Sequence, residues 1–276
     1  MARFDTHVHL WLRGDGNRVR IRERVPELDQ DFGLLELLPQ LIEAEVERIV
    51  LVSAAQSERE PAGLLEVAHR HPDLVAGVIG WLDPGDPEFG AKVARLSSDA
   101  AWLGIRLPIV LEDAEAFAAR PDIDAALDRL TAADALVQVL LNPSQIAAVA
   151  PLLERHPDLR VVVDHAANPE VRRPLSSEWR DGIYRLGALP NAACKVSAFW
   201  LPGMVPPTAE ATRPFADEIV TAFGHDRIVS ASNWPVTSML ASPRQIFMAC
   251  EQAFRLHSSE LHANATRIYR RLTARK

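Results

Sequence analysis

Three histidines stand where short apolar runs stop. In Asp5-Thr6-His7-Val8-His9 the two-residue repeat of an extended strand puts Asp5, His7 and His9 on one face. His165 closes Arg160-Val161-Val162-Val163-Asp164-His165, an otherwise apolar run. A neutral imidazole offers one lone pair and one N–H, so three of them meeting at strand ends could ligate a divalent metal or polarise a carbonyl group. Arg106 ends another such run, where a planar guanidinium can hold a carboxylate or a carbonyl oxygen through two N–H groups. Lys195, one of only three lysines, lies inside a strand-like run and shares a face with Ser197, which lets both reach a substrate. Ser53 and Gln56, beside the end of the second run, are candidate hydrogen-bond donors. Trp81 stands with Trp11, Phe199, Trp200 and Trp234 beside strand ends, where aromatic rings could wall a flat ligand.

The elements that must position these groups alternate along the chain. β-rich runs end near His9, Ala54, Trp81, Arg106, Leu140, His165, Ala198 and Ser232. Their mean spacing is about 32 residues, the length of one strand-helix unit. Amphipathic stretches at 34–47, 62–70, 88–96, 122–133, 144–155, 177–186, 209–223 and 244–256 predict the intervening helices, and 264–272 predicts a last one. Eight such units predict a single (β/α)₈ TIM barrel over residues 1–276. A doubly wound sheet is the alternative, but no G-x-G-x-x-G follows the first strand.

The barrel orients the remaining histidines. The segments His71-Pro72-Asp73-Leu74 and His156-Pro157-Asp158-Leu159 each end a helix and begin a strand, placing them on the face opposite the strand ends where chemistry collects. His69 and His71 therefore imitate an H-x-H motif at the wrong end. With His156 and His225 they are expected to bond helix-end carbonyls.

Composition narrows the partners. The chain has 276 residues, 48% hydrophobic and 24% charged, a globular balance. Thirty basic and 37 acidic side chains give a net charge of −7, which argues against nucleic-acid binding. The two cysteines, Cys194 and Cys250, form no C-x-x-C pair and exclude a cysteine-based zinc module. The first residues show no signal-peptide core, and no apolar run approaches the ~20 residues of a membrane span, so a cytoplasmic protein with no membrane partner is expected.

In order along the chain stand Asp5-Thr6-His7-Val8-His9-Leu10-Trp11, Gly77-Val78-Ile79-Gly80-Trp81-Leu82-Asp83, Gly104-Ile105-Arg106, Asp164-His165 with Pro169, Lys195-Val196-Ser197, Ser232-Asn233-Trp234-Pro235-Val236, and Asn264-Ala265 before Tyr269. The ordered set resembles the amidohydrolase-related barrels, within them the branch of sugar-lactone and 2-pyrone-4,6-dicarboxylate lactonases. The resemblance implies a hydrolase that opens a small cyclic ester by attack of water, on a lactone bearing carboxylate or hydroxyl groups. A silent small-molecule-binding barrel is the alternative, or a decarboxylase or hydratase of the same family. It further implies catalytic roles for His7, His9, His165 and position 233, with Arg106, Lys195, Ser53, Gln56, Ser197 and Trp81 holding the substrate.

Two positions depart from the family pattern. Where it ends the last strand in Ser-Asp-Trp-Pro, this chain has Asn233, and an amide cannot take a proton from water as a carboxylate does. Either the change serves to trap a ligand, or another base works, or turnover has been lost. Ala166 stands where relatives commonly carry glycine after the sixth-strand histidine. His7, His9 and His165 could hold one zinc-like ion, but the customary carboxylate is missing and Gln138 is a poor bridging ligand, so the expectation is no cofactor, with a single divalent metal as the alternative. Arg13, Arg18, Arg20, Arg22 and Arg24 in the first strand-helix loop could cover an anionic substrate, and residues 201–207 read as a stiff pocket wall. A homo-oligomer is left open.

Overall fold

The computed structural model describes residues 2–11, 26–198 and 208–270. The arginine-rich loop at 13–24, Phe199, Trp200 and the 201–207 wall lie outside them. Eight strands alternate with helices: β1 (Arg3–Val8), β2 (Val46–Val52), β3 (Val75–Gly80), β4 (Trp102–Leu107), β5 (Leu136–Val139), β6 (Arg160–Val163), β7 (Ala192–Val196) and β8 (Ile228–Ser230). All neighbouring pairs are parallel and the sheet order follows the sequence, as the (β/α)₈ expectation requires. The β8–β1 seam closes the barrel late. Thr6 Oγ1 donates to the Ser230 carbonyl (3.0 Å), Asn233 N to the His7 carbonyl (3.0 Å) and His9 N to the Trp234 carbonyl (2.8 Å).

Among the described residues the helices are α1 (Leu34–Glu43), α2 (Glu60–Arg70), α3 (Phe89–Ser97), α4 (Ala114–Ala118), α5 (Pro121–Ala132), α6 (Ile146–Glu154), α7 (Ser177–Gly187), α8 (Ala209–Phe223), α9 (Pro243–Phe254) and α10 (Ser258–Ile268). Their limits follow local chemistry. α8 starts where the Thr208 hydroxyl accepts from Ala211 N and stops at Gly224, whose φ of 70° a side chain would resist. α1 stops at Glu43, short of the predicted residue 47, because β2 already begins at Val46. α10 starts six residues before the predicted 264, where the Glu260 carboxylate accepts from His257 N (2.8 Å). No helix among the described residues is long and apolar enough to cross a membrane.

One side chain or more from every strand enters an apolar layer inside the barrel: Phe4, Val50, Val52, Ile79, Leu103, Leu136, Val162, Ala193 and Val229, closed by Ala265 and Tyr269 near the chain's end. A second and larger shell lies between sheet and helices. Polar groups stacked above the inner layer are therefore cut off from water on one side.

At the opposite face His69 Nε2 lies 3.0 Å from Asp99, and His156 lies between Asp124 (2.9 Å) and Asp128 (3.1 Å). Both histidines sit at helix ends, as placed by the sequence, but their ring partners are carboxylates where helix-end carbonyls were expected.

Candidate active site

His9, Arg106, His165 and Asn233 line one cavity of about 780 Å³ at the C-terminal ends of the strands. Three strands deliver their residues through left-handed backbone. His165, Ala166, Ala167 and Asn168 have φ of 53°, 49°, 57° and 50° after β6, Ala198 has 56° after β7, and Asn233 has 56° after β8. Such a conformation costs a non-glycine residue roughly 1 kcal/mol or more. Around β6 it is held by Trp179 Nε1 donating to the Ala166 carbonyl (2.8 Å) and Asn168 Nδ2 donating to the Leu141 carbonyl (3.1 Å). The alanine at position 166 thus sits in the geometry that glycine adopts freely.

Below the cavity floor the charged groups form one network. Asp164 accepts from Arg106 Nε on Oδ2 (2.8 Å) and from Lys195 Nζ on Oδ1 (2.9 Å). Lys195 Nζ also lies 2.9 Å from His7 Nδ1, and His7 Nε2 lies 3.0 Å from His9 Nε2. His9 Nδ1 donates to the Val52 carbonyl (2.7 Å). His165 meets Ser197 Oγ through Nδ1 (2.9 Å) and faces Arg106 Nη2 through Nε2 (3.4 Å).

Burial and neighbouring charge set the protonation states. Removal from water pushes His9 and His165 down to about 3 and His7 well below its ordinary value, where the nearby Lys195 ammonium adds to the effect, so all three are neutral imidazoles at pH 7. Burial alone would raise the Asp164 carboxyl, but Lys195, Arg106 and His7 together hold it well below the carboxylate range. Burial lowers Lys195 to about 8, against the pull of Asp164.

The expected site residues divide by depth. His9, Arg106, His165 and Asn233 face the cavity; His7, Lys195 and Ser197 are fully buried beneath it, His7 against His9, Ser197 against His165, and Lys195 against His7 and Asp164. Lys195 and Ser197 thus meet histidines, His7 and His165, and neither lines the cavity. Ser53 is buried, and its hydroxyl has no partner among the described residues. Gln56 and Trp81 line a separate, smaller cleft with Glu112 and Arg120, away from the cavity they were expected to serve. Asp5 does not point into the mouth: the β1–β2 pairing is irregular between Asp5 and Val8, and Asp5 Oδ1 accepts instead from His7 N (3.1 Å) and Ser232 N (2.9 Å). Of the aromatics, Trp11 lines the cavity whereas Trp234 packs on Phe32 in the outer shell.

The structure adds residues that the sequence did not single out. Asp164 is the hub of the network; in the sequence it stands beside His165 in the family-like set as an acid inside an apolar run, with no role assigned to it. Glu170, Arg173 and Glu178 rim the cavity from the segment after β6, with Arg173 Nε 3.0 Å from Glu170. Nothing in their spacing marks them.

His7, Asp164 and His165 each bring one ligand-type atom within 4.8 Å of the others. The zinc alternative therefore finds its ligand types here, but it finds their lone pairs engaged. Both Asp164 oxygens already face cations and His7 Nδ1 faces the Lys195 amine, so as they stand these donors do not suit an added divalent ion.

Known proteins are similar to this chain in sequence and in fold. Over 238 residues the chain is 30% identical to an L-fucono-1,5-lactonase of Burkholderia ambifaria, covering 86% of this chain and 81% of that one. A crystal structure of an amidohydrolase from Burkholderia multivorans with zinc bound superposes with a TM-score of 0.87 at 27% identity, covering 98% of this chain and 99% of the other. A probable 2-pyrone-4,6-dicarboxylic acid hydrolase from Acinetobacter baumannii, with citric acid bound, shares the fold at a TM-score of 0.80 and 17% identity, over 98% and 99% of the two chains. The Amidohydrolase family model matches residues 4–271, a span that takes in nearly the whole barrel and the positions of all the strand-end residues described above. The chain belongs to that amidohydrolase family.

Proposed function

We propose that the protein opens a small, hydroxyl-rich lactone by addition of water. The observation that carries this reading is the convergence of Arg106, His9, His165 and position 233 on one strand-end cavity, in a chain similar to an L-fucono-1,5-lactonase. Arg106 is held through Nε by Asp164, leaving its terminal N–H groups to accept the charge that grows on the ester carbonyl oxygen. His9 and His165, neutral and fixed by Val52 and Ser197, shape the polar side of the pocket. Glu170, Arg173 and Glu178 at the rim offer acceptors and a donor for ring hydroxyls. Water adds to the carbonyl carbon, the ring oxygen leaves, and a proton must pass from the water to that oxygen.

That proton is where Asn233 matters. Its Oδ1 is buried at the cavity wall without a partner among the described residues, placed to orient a water molecule but unable to take its proton. We read position 233 as the base site of the reaction, and this reading routes no step through a metal. The enzyme is taken to be cytoplasmic and to act in small-molecule metabolism.

Asn233 equally favours a second reading, a barrel that binds the lactone and does not turn it over. A panel of sugar lactones, followed by acid release, separates the two when run on the native chain and on Asn233→Asp. Hydrolysis by either form supports the enzyme; binding by both without acid release supports the carrier.

A further inference from the structure

We infer that Lys195 is a built-in cation that fixes the His7–His9 pair in one tautomer and keeps a divalent ion out of the strand-end cluster. This does not depend on which ester the enzyme opens.

The argument is one of hydrogen-bond direction. An ammonium has three N–H donors and no lone pair, so the 2.9 Å contact between Lys195 Nζ and His7 Nδ1 makes Nδ1 the acceptor. The neutral His7 ring then carries its proton on Nε2. A carbonyl oxygen only accepts, so the 2.7 Å contact with Val52 puts the His9 proton on Nδ1 and leaves His9 Nε2 bare. The two results meet at the 3.0 Å contact between rings, where His7 Nε2–H donates to His9 Nε2. One assignment satisfies all three contacts. Reversing the His7 ring alone would set its Nδ1–H against an ammonium N–H and two lone pairs against each other.

Two imidazole nitrogens each about 2.1 Å from one tetrahedral ion lie roughly 3.4 Å apart, so an ion shared by His7 and His9 would need their Nε2 atoms spread only a little from the 3.0 Å they show here. An ion there needs both Nε2 lone pairs, and therefore needs the His7 proton on Nδ1, opposite Lys195. Metal-bound histidines ordinarily donate that outer N–H to a carboxylate or carbonyl. Here the nearer outer partner is a donor, Lys195 Nζ at 2.9 Å, while the Asp164 Oδ1 carboxylate oxygen stands back at 3.7 Å. Asp164 gives no relief, because it already serves Lys195 and Arg106 in a fully buried setting, and a divalent ion would be a third cation drawing on that carboxylate. Lys195 is thus a positioning residue that reaches the cavity only through His7 and His9.

Two measurements test this. In ¹⁵N-labelled native protein, the imidazole nitrogens should report an Nε2–H ring for His7 and an Nδ1–H ring for His9; an Nδ1–H ring at His7 overturns the proposal without any mutation. Zinc chloride is then titrated by calorimetry into the native chain and Lys195→Met, with the His7 and His9 nitrogen shifts showing which heat belongs to this site. Lys195→Met should bind zinc there at least about tenfold more tightly than the native chain, the scale on which outer partners of metal-binding histidines act. Equal affinity in the two forms overturns the exclusion, and the native spectrum decides the tautomer if Lys195→Met does not fold.

Discussion

Arg106 and Asp164, 58 residues apart in sequence, are joined by a 2.8 Å bond from Nε to Oδ2, which leaves the far end of the guanidinium against His165 and the cavity. The pair anchors Arg106 at one end while the other end lines the cavity. A lysine could keep the charge near Asp164 but could not present the planar fork beyond it. Arg106→Lys is expected to raise KM for a lactone substrate about tenfold or more, the worth of a charged two-point contact of roughly 1.5–3 kcal/mol. An unchanged KM would leave Arg106 with its structural role alone.

Asn233→Asp should raise kcat by at least about 10²-fold while KM stays within a few-fold, because a general base acts on the transition state more than on the bound ground state. The restored carboxylate should add a low-pH limb to the pH–rate profile. If the native chain already turns over a lactone at an ordinary enzymatic rate and the substitution adds nothing, position 233 is not the base.

Acid should unfold the barrel from its active-site end. His9 and His165 titrate at about 3 in the folded chain, and His7 lower than its ordinary value, against about 6.5 when unfolded. Their contribution is complete above pH 6.5 and is lost as pH falls. Asp5 works in the other direction: burial raises it to about 6, so its contribution is present below its unfolded value and disappears as pH rises through 6. Three histidine protons against one carboxyl proton leave a net uptake of about two on unfolding near pH 5, hence a stability slope of roughly 2–3 kcal/mol per pH unit. Urea midpoints at pH 7.5, 6 and 5 should fall in that order; a flat series would contradict neutral buried imidazoles.

Two glycines should respond oppositely to alanine. At Gly104, with φ of 155°, an added Cβ would lie 1.8 Å from the Leu136 carbonyl oxygen on the paired strand β5, and Gly104→Ala should cost roughly 2–4 kcal/mol. At Gly63, exposed on α2, nothing lies within 4 Å of the new atom, and Gly63→Ala should stabilise by about 0.5–1 kcal/mol. Thermal melts of the two variants should move to opposite sides of the native curve.

The barrel was legible because apolar strand runs recur at regular spacing, and their predicted ends fall within two residues of Val8, Val52, Gly80, Leu107, Val139, Val163, Val196 and Ser230. The short helix α4 was not, since five residues carry too little periodicity to register; its one signal was Asp113, whose carboxylate accepts from Ala116 N. Position along a strand told which residues reach the top of the barrel. It could not tell depth, and so could not separate His9 from His7, or Arg106 from Lys195, where one member of each pair lines the cavity and the other lies below it. Asp5 escaped for a different reason: strict alternation assumes an unbroken ladder, and the irregularity before Val8 redirects its carboxylate to the β8 side. Gln56 and Trp81 follow strands as expected, yet the loops beyond carry them to a neighbouring cleft.

In a regular strand, neighbouring residues look away from each other, so Asp164 and His165 ought to serve opposite sides of the sheet. Both instead reach Arg106, because the chain changes handedness at His165. A reversal of twist at the tip of a strand lets two consecutive codons address a single guanidinium. The barrel gains a second functional position per strand without lengthening a loop, and exchanging residues 165 and 166 in order would uncouple the anchor from the reacting surface even with composition unchanged.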